Sequence, residues 1–406
     1  MIKETTAIVG GIYREHCMRP AWREIFGSAG RAASAMASMG ASVELFGWMD
    51  PLALEVLASR ATLEGFALKP TSAHHAVTFD YDHGLAEPRI DRCKKIEIPL
   101  EVVADQVLRF GIFEGDAIVH GKRVVYDPQD AYEPKVFHAN GSTADELAVI
   151  LNRNEATLMS GLQSASVQEL AEALIERNQA SVVVIKQGPQ GALVHDGRSM
   201  CQIPAYQSQS VWKLGSGDTF VAHFAFWWMH ERKSAAESAN LASRATAYYC
   251  QTRGFPTRAG LSSFTPIAIT PSSAFCNGWQ PRVYLAGPFF TLAQLWLIEQ
   301  ARRDLQSMGF RVFSPYHDVG HGSADDVVKL DLKGIDDSDI VFAIGDGLDS
   351  GTIYEIGYAR AKGKPVVMYC ENESVEDKKM MEGSDCVLHN DYVSAIYKAL
   401  WVACSL

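Results

Sequence analysis

Leu214-Gly215-Ser216-Gly217-Asp218-Thr219-Phe220 decides how this chain is read. Two glycines form a turn that runs straight into an apolar helical stretch, Phe220–Met229, and a carboxylate stands at the helix start. A turn of this kind points backbone N–H groups outward where the helix dipole favours negative charge, so Gly215, Ser216 and Gly217 make an anion site. Asp218 is placed to take a proton from a hydroxyl that attacks the held anion. Alone, a Gly-x-Gly-Asp turn serves equally as a helix entry capped by its Asp. The flanking sequence tips the balance.

Upstream, Ala7–Ile12 reads as a buried strand ending in Gly10-Gly11. Gly30–Met39 reads as a helix of small residues and Val43–Phe46 as a strand. The apolar runs Ala117–Tyr126, Ala156–Ser160 and Ser181–Ile185 alternate with helical stretches such as Val167–Arg177. That alternation predicts a doubly wound, mostly parallel sheet. Downstream, Ser234–Tyr249 is helical, and Thr252–Pro281, with four prolines, interrupts the pattern. A second alternation follows: strand Arg282–Leu285, helix Leu292–Met308, strands Arg311–Phe313 and Ile340–Ile344, helix Tyr354–Lys362 and strand Pro365–Tyr369. The predicted fold class is α/β with two doubly wound domains, 1–262 and a smaller flavodoxin- or Rossmann-like parallel sheet at 282–406, joined by a linker at 263–281.

At 406 residues the chain is long enough for two cores, and 47% hydrophobic with 21% charged residues is an ordinary globular mixture. The net charge of −11 argues against nucleic acid as the main partner. The eight cysteines are scattered with no Cys-x-x-Cys pair, which fits reduced thiols in a cytoplasmic protein. Met1–Thr6 lacks a signal-peptide core, and no run is apolar for long enough to span a membrane.

Two further features flank the first loop. Asn152-Arg153-Asn154-Glu155 follows a strand-like run and offers an amide and a carboxylate to a hydrated Mg²⁺. Lys186-Gln187-Gly188-Pro189-Gln190-Gly191 follows the Val182–Ile185 strand, where backbone can meet a nucleotide phosphate. In this order and spacing, with Gly27–Gly40 and Asp127-Pro128, residues 5–262 resemble the ribokinase-like (PfkB) family of sugar and nucleoside kinases. The resemblance implies Asp218 as catalytic base, Gly215–Gly217 as anion hole and Asn152 with Glu155 as the magnesium-associated pair. It also implies ATP as donor, held at Lys186, Gly188 and Gly191, with Gly11 beside the acceptor. Two departures stand out. Arg31 occupies the place of the family's acceptor-binding Asn, which suggests an acceptor whose charged group Arg31 pairs bidentately. About fifteen residues separate Gly11 from Gly27, too few for the usual β lid.

The second stretch rich in chemistry is Asp349-Ser350-Gly351-Thr352-Ile353-Tyr354-Glu355-Ile356-Gly357-Tyr358-Ala359. Breaking an N-glycosidic bond needs one group at the anomeric carbon and an acid at the departing base. Asp331, Asp349 and Glu355 lie at strand ends and helix starts, where an open α/β sheet builds its site. With Val283-Tyr284-Leu285-Ala286-Gly287-Pro288-Phe289-Phe290, residues 282–390 resemble nucleoside 2-deoxyribosyltransferases. The resemblance implies Glu355 as nucleophile, Asp349 as the acid at the base, Asp331 on the nucleoside, Tyr284 orienting Glu355, and Gly287 and Gly351 lining the pocket. Hydrolases of deoxynucleoside 5′-monophosphates share the scaffold, so transfer and hydrolysis both stay open. A neighbouring subunit completes sites of this family, which implies a homo-oligomer. The corresponding stretch is Gly383–Leu388, with Cys386 at the family's Asn position and Ser384 available to a phosphate. His317, Asp318 and His321 match no standard zinc spacing and read as a surface loop. Trp227, Trp228 and Trp296 read as core or interface residues, and Asp339 as a cap on a strand. Two readings of the whole follow. One is a bifunctional enzyme of nucleoside or nucleotide and sugar substrates; the other is a nucleotide-sensing kinase-like unit that regulates a glycosidase.

Overall fold

The computed structural model describes residues 4–91 and 94–406. Met1–Lys3, Arg92 and Cys93 therefore lie outside the described residues, together with the expectations placed on them. The chain divides into two compact units, one of residues 1–208 with 212–268 and one of residues 209–211 with 269–406.

The first unit is built on a nine-stranded sheet. Its strands are β1 (Thr5–Val9), β4 (Ser42–Met49), β5 (Ala67–Ser72), β8 (Leu100–Phe110), β9 (Ala117–Asp127), β10 (Thr143–Asn152), β11 (Val182–Lys186), β12 (Ala192–His195) and β13 (Met200–Ile203). The order is β13-β12-β11-β10-β9-β8-β1-β4-β5, parallel from β5 to β11 and antiparallel at β12 and β13. Successive strand residues face opposite sides. Ile8, Leu108, Val125, Ile150 and Val184 meet the helices Gly27–Ser38, Ser216–Ala225 and Ala235–Thr252 on one side. Val9, Val107, Val124, Val149 and Val183 meet Arg153–Ser160 and Val167–Asn178 on the other. Burial on both faces explains why these strands read as continuous apolar runs.

Two expectations are corrected here. Ala156–Ser160 is helix rather than strand, because Asn152 and Glu155 form a reciprocal capping box that starts Arg153–Ser160. The lid is also present. A four-stranded sheet, β3-β2-β6-β7, is made of β2 (Arg14–Arg19), β3 (Trp22–Ile25), β6 (Thr78–His83) and β7 (Arg89–Asp91). The short segment after Gly11 supplies only the β2–β3 hairpin, and β6 pairs in parallel with β2 from some sixty residues downstream.

In the second unit β14 (Arg282–Ala286), β15 (Arg311–Phe313), β16 (Ile340–Ile344), β17 (Val366–Tyr369) and β18 (Val387–His389) form a five-stranded, all-parallel sheet in the order β15-β14-β16-β17-β18. Asp339 fixes the start of β14, since its Oδ2 accepts from Arg282 N at 2.7 Å. The chain runs outward in opposite directions from β14 and β16, so a crevice opens at their C-terminal ends. Gly287 is required there, because a β-carbon would stand 2.8 Å from Ile298 Cδ1 and 3.1 Å from Ile344 Cβ. The seven described cysteines are free. Among the described residues, no helix is long and apolar enough to cross a membrane.

Candidate functional sites

In the first unit the helix Ser216–Ala225 begins from Gly215, whose φ of +74° is open to glycine. Asp218 sits in its first turn. Gln129 Nε2 donates to Asp218 Oδ1 at 2.6 Å, and Arg31 Nη1 donates to Asp218 Oδ2 at 2.8 Å. Arg31 is 1% exposed within a helix of small residues. Its Nη2 and Nη1 also donate to Glu15 of β2, at 2.5 and 3.3 Å, and Nε donates to Tyr249 Oη at 3.3 Å. Burial works against this guanidinium's charge, yet Glu15, Tyr249 and Asp218 together hold its pKa well above the ordinary value. The expected free Arg31 fork is thus not observed: carboxylates of the chain itself fill it.

Beside this cluster, Lys186 Nζ donates to the buried Asp127 Oδ2 at 3.2 Å and lies 3.8 Å from where a β-carbon on Gly217 would stand. Burial opposes the Lys186 charge, and Asp127 and Glu155 outweigh it, so its pKa is raised. Glu155 is pushed up to about 7 by burial and then by Asp127, with Lys186 opposing. Asn152 Oδ1 accepts from Glu155 N at 2.9 Å, and Glu155 Oε2 accepts from Asn152 N at 2.8 Å. Gly188 has no atom within 4 Å of a notional β-carbon, whereas Gly191, at φ +81°, presses on Ile203 O of β13. Ser216 Oγ accepts from Lys213 Nζ at 3.1 Å.

Among the described residues no group of three His, Cys, Asp or Glu side chains forms a metal cage. Asn152 and Glu155 already satisfy one another through the capping box. Two buried acids beside a lysine instead suit a cation that keeps its waters and arrives on phosphate oxygens, which is how Mg²⁺ is commonly bound. The Tyr13 ring lies against the open face of Gly11. Sequence reasoning missed Glu15, Gln129 and Tyr13. Glu15 stands between Arg14 and His16 in a short charged strand that gave no core signal.

In the second unit Tyr284 Oη donates to Glu355 Oε1 at 2.6 Å. Tyr284 is fully buried and its ring stacks on Phe313. Burial pushes the Glu355 carboxyl up to about 7; the Tyr284 hydrogen bond opposes the rise, and Asp331 and Asp349 add to it. Asp331 Oδ1 is buried with no hydrogen-bond partner, and burial raises its pKa. Asp349 caps the helix Ser350–Ala361, with Oδ2 accepting from Thr352 N at 2.9 Å and Thr352 Oγ1 at 3.0 Å. Gly351 packs against the same oxygen, 3.1 Å from a notional β-carbon. Asp346, missed in the sequence, accepts from Glu371 N and Asn372 N, each at 2.8 Å, and so ties down the loop before Asp349.

Tyr284, Glu355, Asp331 and Asp349 therefore form one electrostatic group. Ser384 does not join it within this chain. It precedes β18 at the N-terminal edge of the parallel sheet, where Arg360 Nε donates to its carbonyl at 2.6 Å. The histidine loop is structural: His317 pairs with Glu299, and its Nδ1 lies 3.0 Å from Ser314 Oγ. Trp228 is buried, whereas Trp296 is about half exposed.

Comparison with known proteins finds a different family match in each unit. Residues 120–257 match the family described as pfkB family carbohydrate kinase. Residues 283–390 match the family described as nucleoside 2-deoxyribosyltransferase. One chain carries both patterns. A fructokinase from Vibrio cholerae O395, solved with fructose, ADP and calcium ion, is similar to the first unit with a TM-score of 0.50 at 17% identity, covering 64% of this chain and 99% of that one. A double mutant of that fructokinase, solved with fructose, ADP and potassium ion, gives a TM-score of 0.51 at 18% identity over 64% and 98%. These likenesses establish the ribokinase-type fold of the first unit. No curated protein matches the chain.

Proposed function

We propose that the unit within 282–406 breaks, or exchanges the base of, the N-glycosidic bond of a (deoxy)nucleoside or its 5′-monophosphate. The observation that carries this reading is the Tyr284–Glu355 hydrogen bond inside a group of three acids. Glu355, ionised, attacks the anomeric carbon; the C–N bond breaks as the new C–O bond forms, and the base leaves with the electron pair. Asp349 Oδ1 stays clear of the cap and delivers the proton to the departing base. Asp331 turns its unpartnered oxygen to a nucleoside hydroxyl, which repairs a buried acceptor left unsatisfied in the chain alone. Water or a second base then releases the sugar. Completion of the site by a second copy is part of this reading, since Ser384 lies away from Glu355 in its own chain.

The unit within 1–262 is proposed as an ATP–Mg²⁺ unit of kinase type. Gly215–Gly217, Lys186, Gly188 and Gly191 would hold the phosphates, and the Asn152–Glu155 pair, with Asp127 beside it, would hold a hydrated cation that neutralises the transferred charge. Phosphorylation of a nucleoside or released sugar, with Asp218 as base, is the first reading of this unit. One observation favours the second, in which bound nucleotide regulates the glycosidase: both Asp218 oxygens are engaged, one by a buried arginine.

The test is chromatographic. Nucleosides and 5′-monophosphates are incubated with the full chain, with and without ATP–Mg²⁺, beside Glu355→Gln. Base release lost in that variant while folding is kept supports the reading, and undiminished release removes Glu355 from the mechanism.

A further inference from the structure

The acceptor side of the first unit is filled from within. Gly215 has a left-handed backbone that leaves its Cα face open, and the Arg31 side chain lies on that face. A β-carbon there would stand 1.9 Å from Arg31 Nε, 2.2 Å from Cζ and 2.4 Å from Cδ. The corresponding face of Gly11 is covered by Tyr13, whose Cζ and Oη would stand 1.9 and 2.0 Å from a β-carbon. Phe113 N donates to the same Tyr13 hydroxyl at 2.9 Å, which fixes the ring in place. Gly217 and Gly188, on the nucleotide side, have no such cover.

Arg31 cannot turn toward an incoming ligand at small cost. It lies between Asp218 and Glu15, and Glu15 belongs to the lid strand β2. Glu15 and Tyr81 put the lid over the cluster, since Glu15 pairs with Phe79 and Cys17 with Tyr81 between β2 and β6. Two carboxylates already answer one guanidinium, so a further anion gains little by approaching it. A neutral sugar hydroxyl would have to displace Arg31 to reach Asp218 Oδ2.

We infer that Arg31 and Glu15 are an internal occupant of the acceptor position, so that the first unit holds a nucleoside triphosphate as a ligand and does not pass its phosphoryl group to a sugar or nucleoside. The inference rests on the proposed nucleotide site and takes the second reading of that unit in place of the first, because it names the pair that separates binding from transfer. Arg31 is a blocking residue, and its removal exposes a base and an anion hole that are otherwise intact. The reaction then opened is balanced. An acceptor hydroxyl oxygen bonds to the γ-phosphorus, the bond from that phosphorus to the β–γ bridging oxygen breaks, ADP leaves with the electron pair, and Asp218 takes the hydroxyl proton.

The experiment measures ATP–Mg²⁺ binding by calorimetry and acceptor-dependent ADP formation against a panel of nucleosides and sugars. It compares the full-length wild type with Arg31→Ala/Glu15→Gln, a pair that removes the guanidinium together with the buried Glu15 charge and leaves Asp218 to Gln129. The wild type is expected to bind nucleotide with an affinity that no acceptor changes, and to form no ADP above background. The double variant is expected to gain ADP formation by about 10²-fold, the lower end of what a positioned general base contributes. Wild-type ADP formation with any acceptor, or tighter nucleotide binding in its presence, overturns the inference whether or not the variant folds. A folded variant with no gain overturns it as well. Absence of nucleotide binding in wild type and variant alike is a different failure, which removes the nucleotide site itself.

Discussion

Replacing Tyr284 with Phe removes one hydroxyl and leaves the ring where it is, stacked on Phe313 at 5.5 Å between centroids. The hydroxyl donates to Glu355 Oε1 at 2.6 Å, so it stabilises the charged carboxylate. A hydrogen bond to a charged group contributes about 1.5–3 kcal/mol, which corresponds to a shift of roughly one to two pH units. The wild-type carboxyl stands at about 7, raised by burial and by Asp331 and Asp349 against the Tyr284 bond. As nucleophile, Glu355 must be ionised, so base release in the wild type rises with pH through about 7. In Tyr284→Phe that rise moves to higher pH by about one to two units, and the rate near neutrality falls roughly 5- to 50-fold, because the wild-type carboxyl is about half ionised there. Steady-state base release across pH measures both effects. Should the rise stay at its wild-type position, with the rate unchanged, Tyr284 does not set the charge of Glu355 and the proposed chemistry is wrong.

Other expectations follow from single contacts. Asp331→Asn removes a charge that raises the Glu355 pKa, so the same pH profile moves down, opposite in sign to Tyr284→Phe. Glu114 is 5% exposed, with one oxygen unpartnered, and burial pushes it up to about 7 from 4.5. A raised folded-state pKa gives stability that is present below pH 4.5 and lost as pH rises through about 7. Glu114→Gln is therefore expected to stabilise the first unit at pH 8 relative to pH 5 by at most about 3 kcal/mol, read by hydrogen exchange at β8 and β9. Gly287→Ala forces a β-carbon against Ile298 and Ile344, and is expected to cost the second unit about 1–3 kcal/mol in denaturant titration.

The central strands were legible because they are buried on both faces. Val182–Ile185 and Ile340–Ile344 are apolar without interruption, and each leads to a loop that bears polar groups. The two reactive loops were legible for the opposite reason, since glycines and acids there break an apolar pattern. The lid was not. Its strands are short, carry charges such as Arg14, Glu15 and Asp80, and pair across the sequence, so no local period announces them. Ala156–Ser160 misled as a strand because the capping box that makes it helical lies just before the apolar run. The role of Arg31 was hidden by distance along the chain: its partners Glu15, Asp218 and Tyr249 come from a lid strand and two remote helices, and only the fold brings them together.

Glu355 as nucleophile carries the proposed chemistry of the second unit. The decisive measurement is the intact mass of the full chain, quenched in acid during turnover of an accepted nucleoside or nucleotide, followed by peptide mapping. An adduct of the substrate's glycosyl group is expected on the peptide carrying Glu355, and is expected to be absent from Glu355→Gln. Base release with no adduct, or an adduct that maps to another residue, would contradict it.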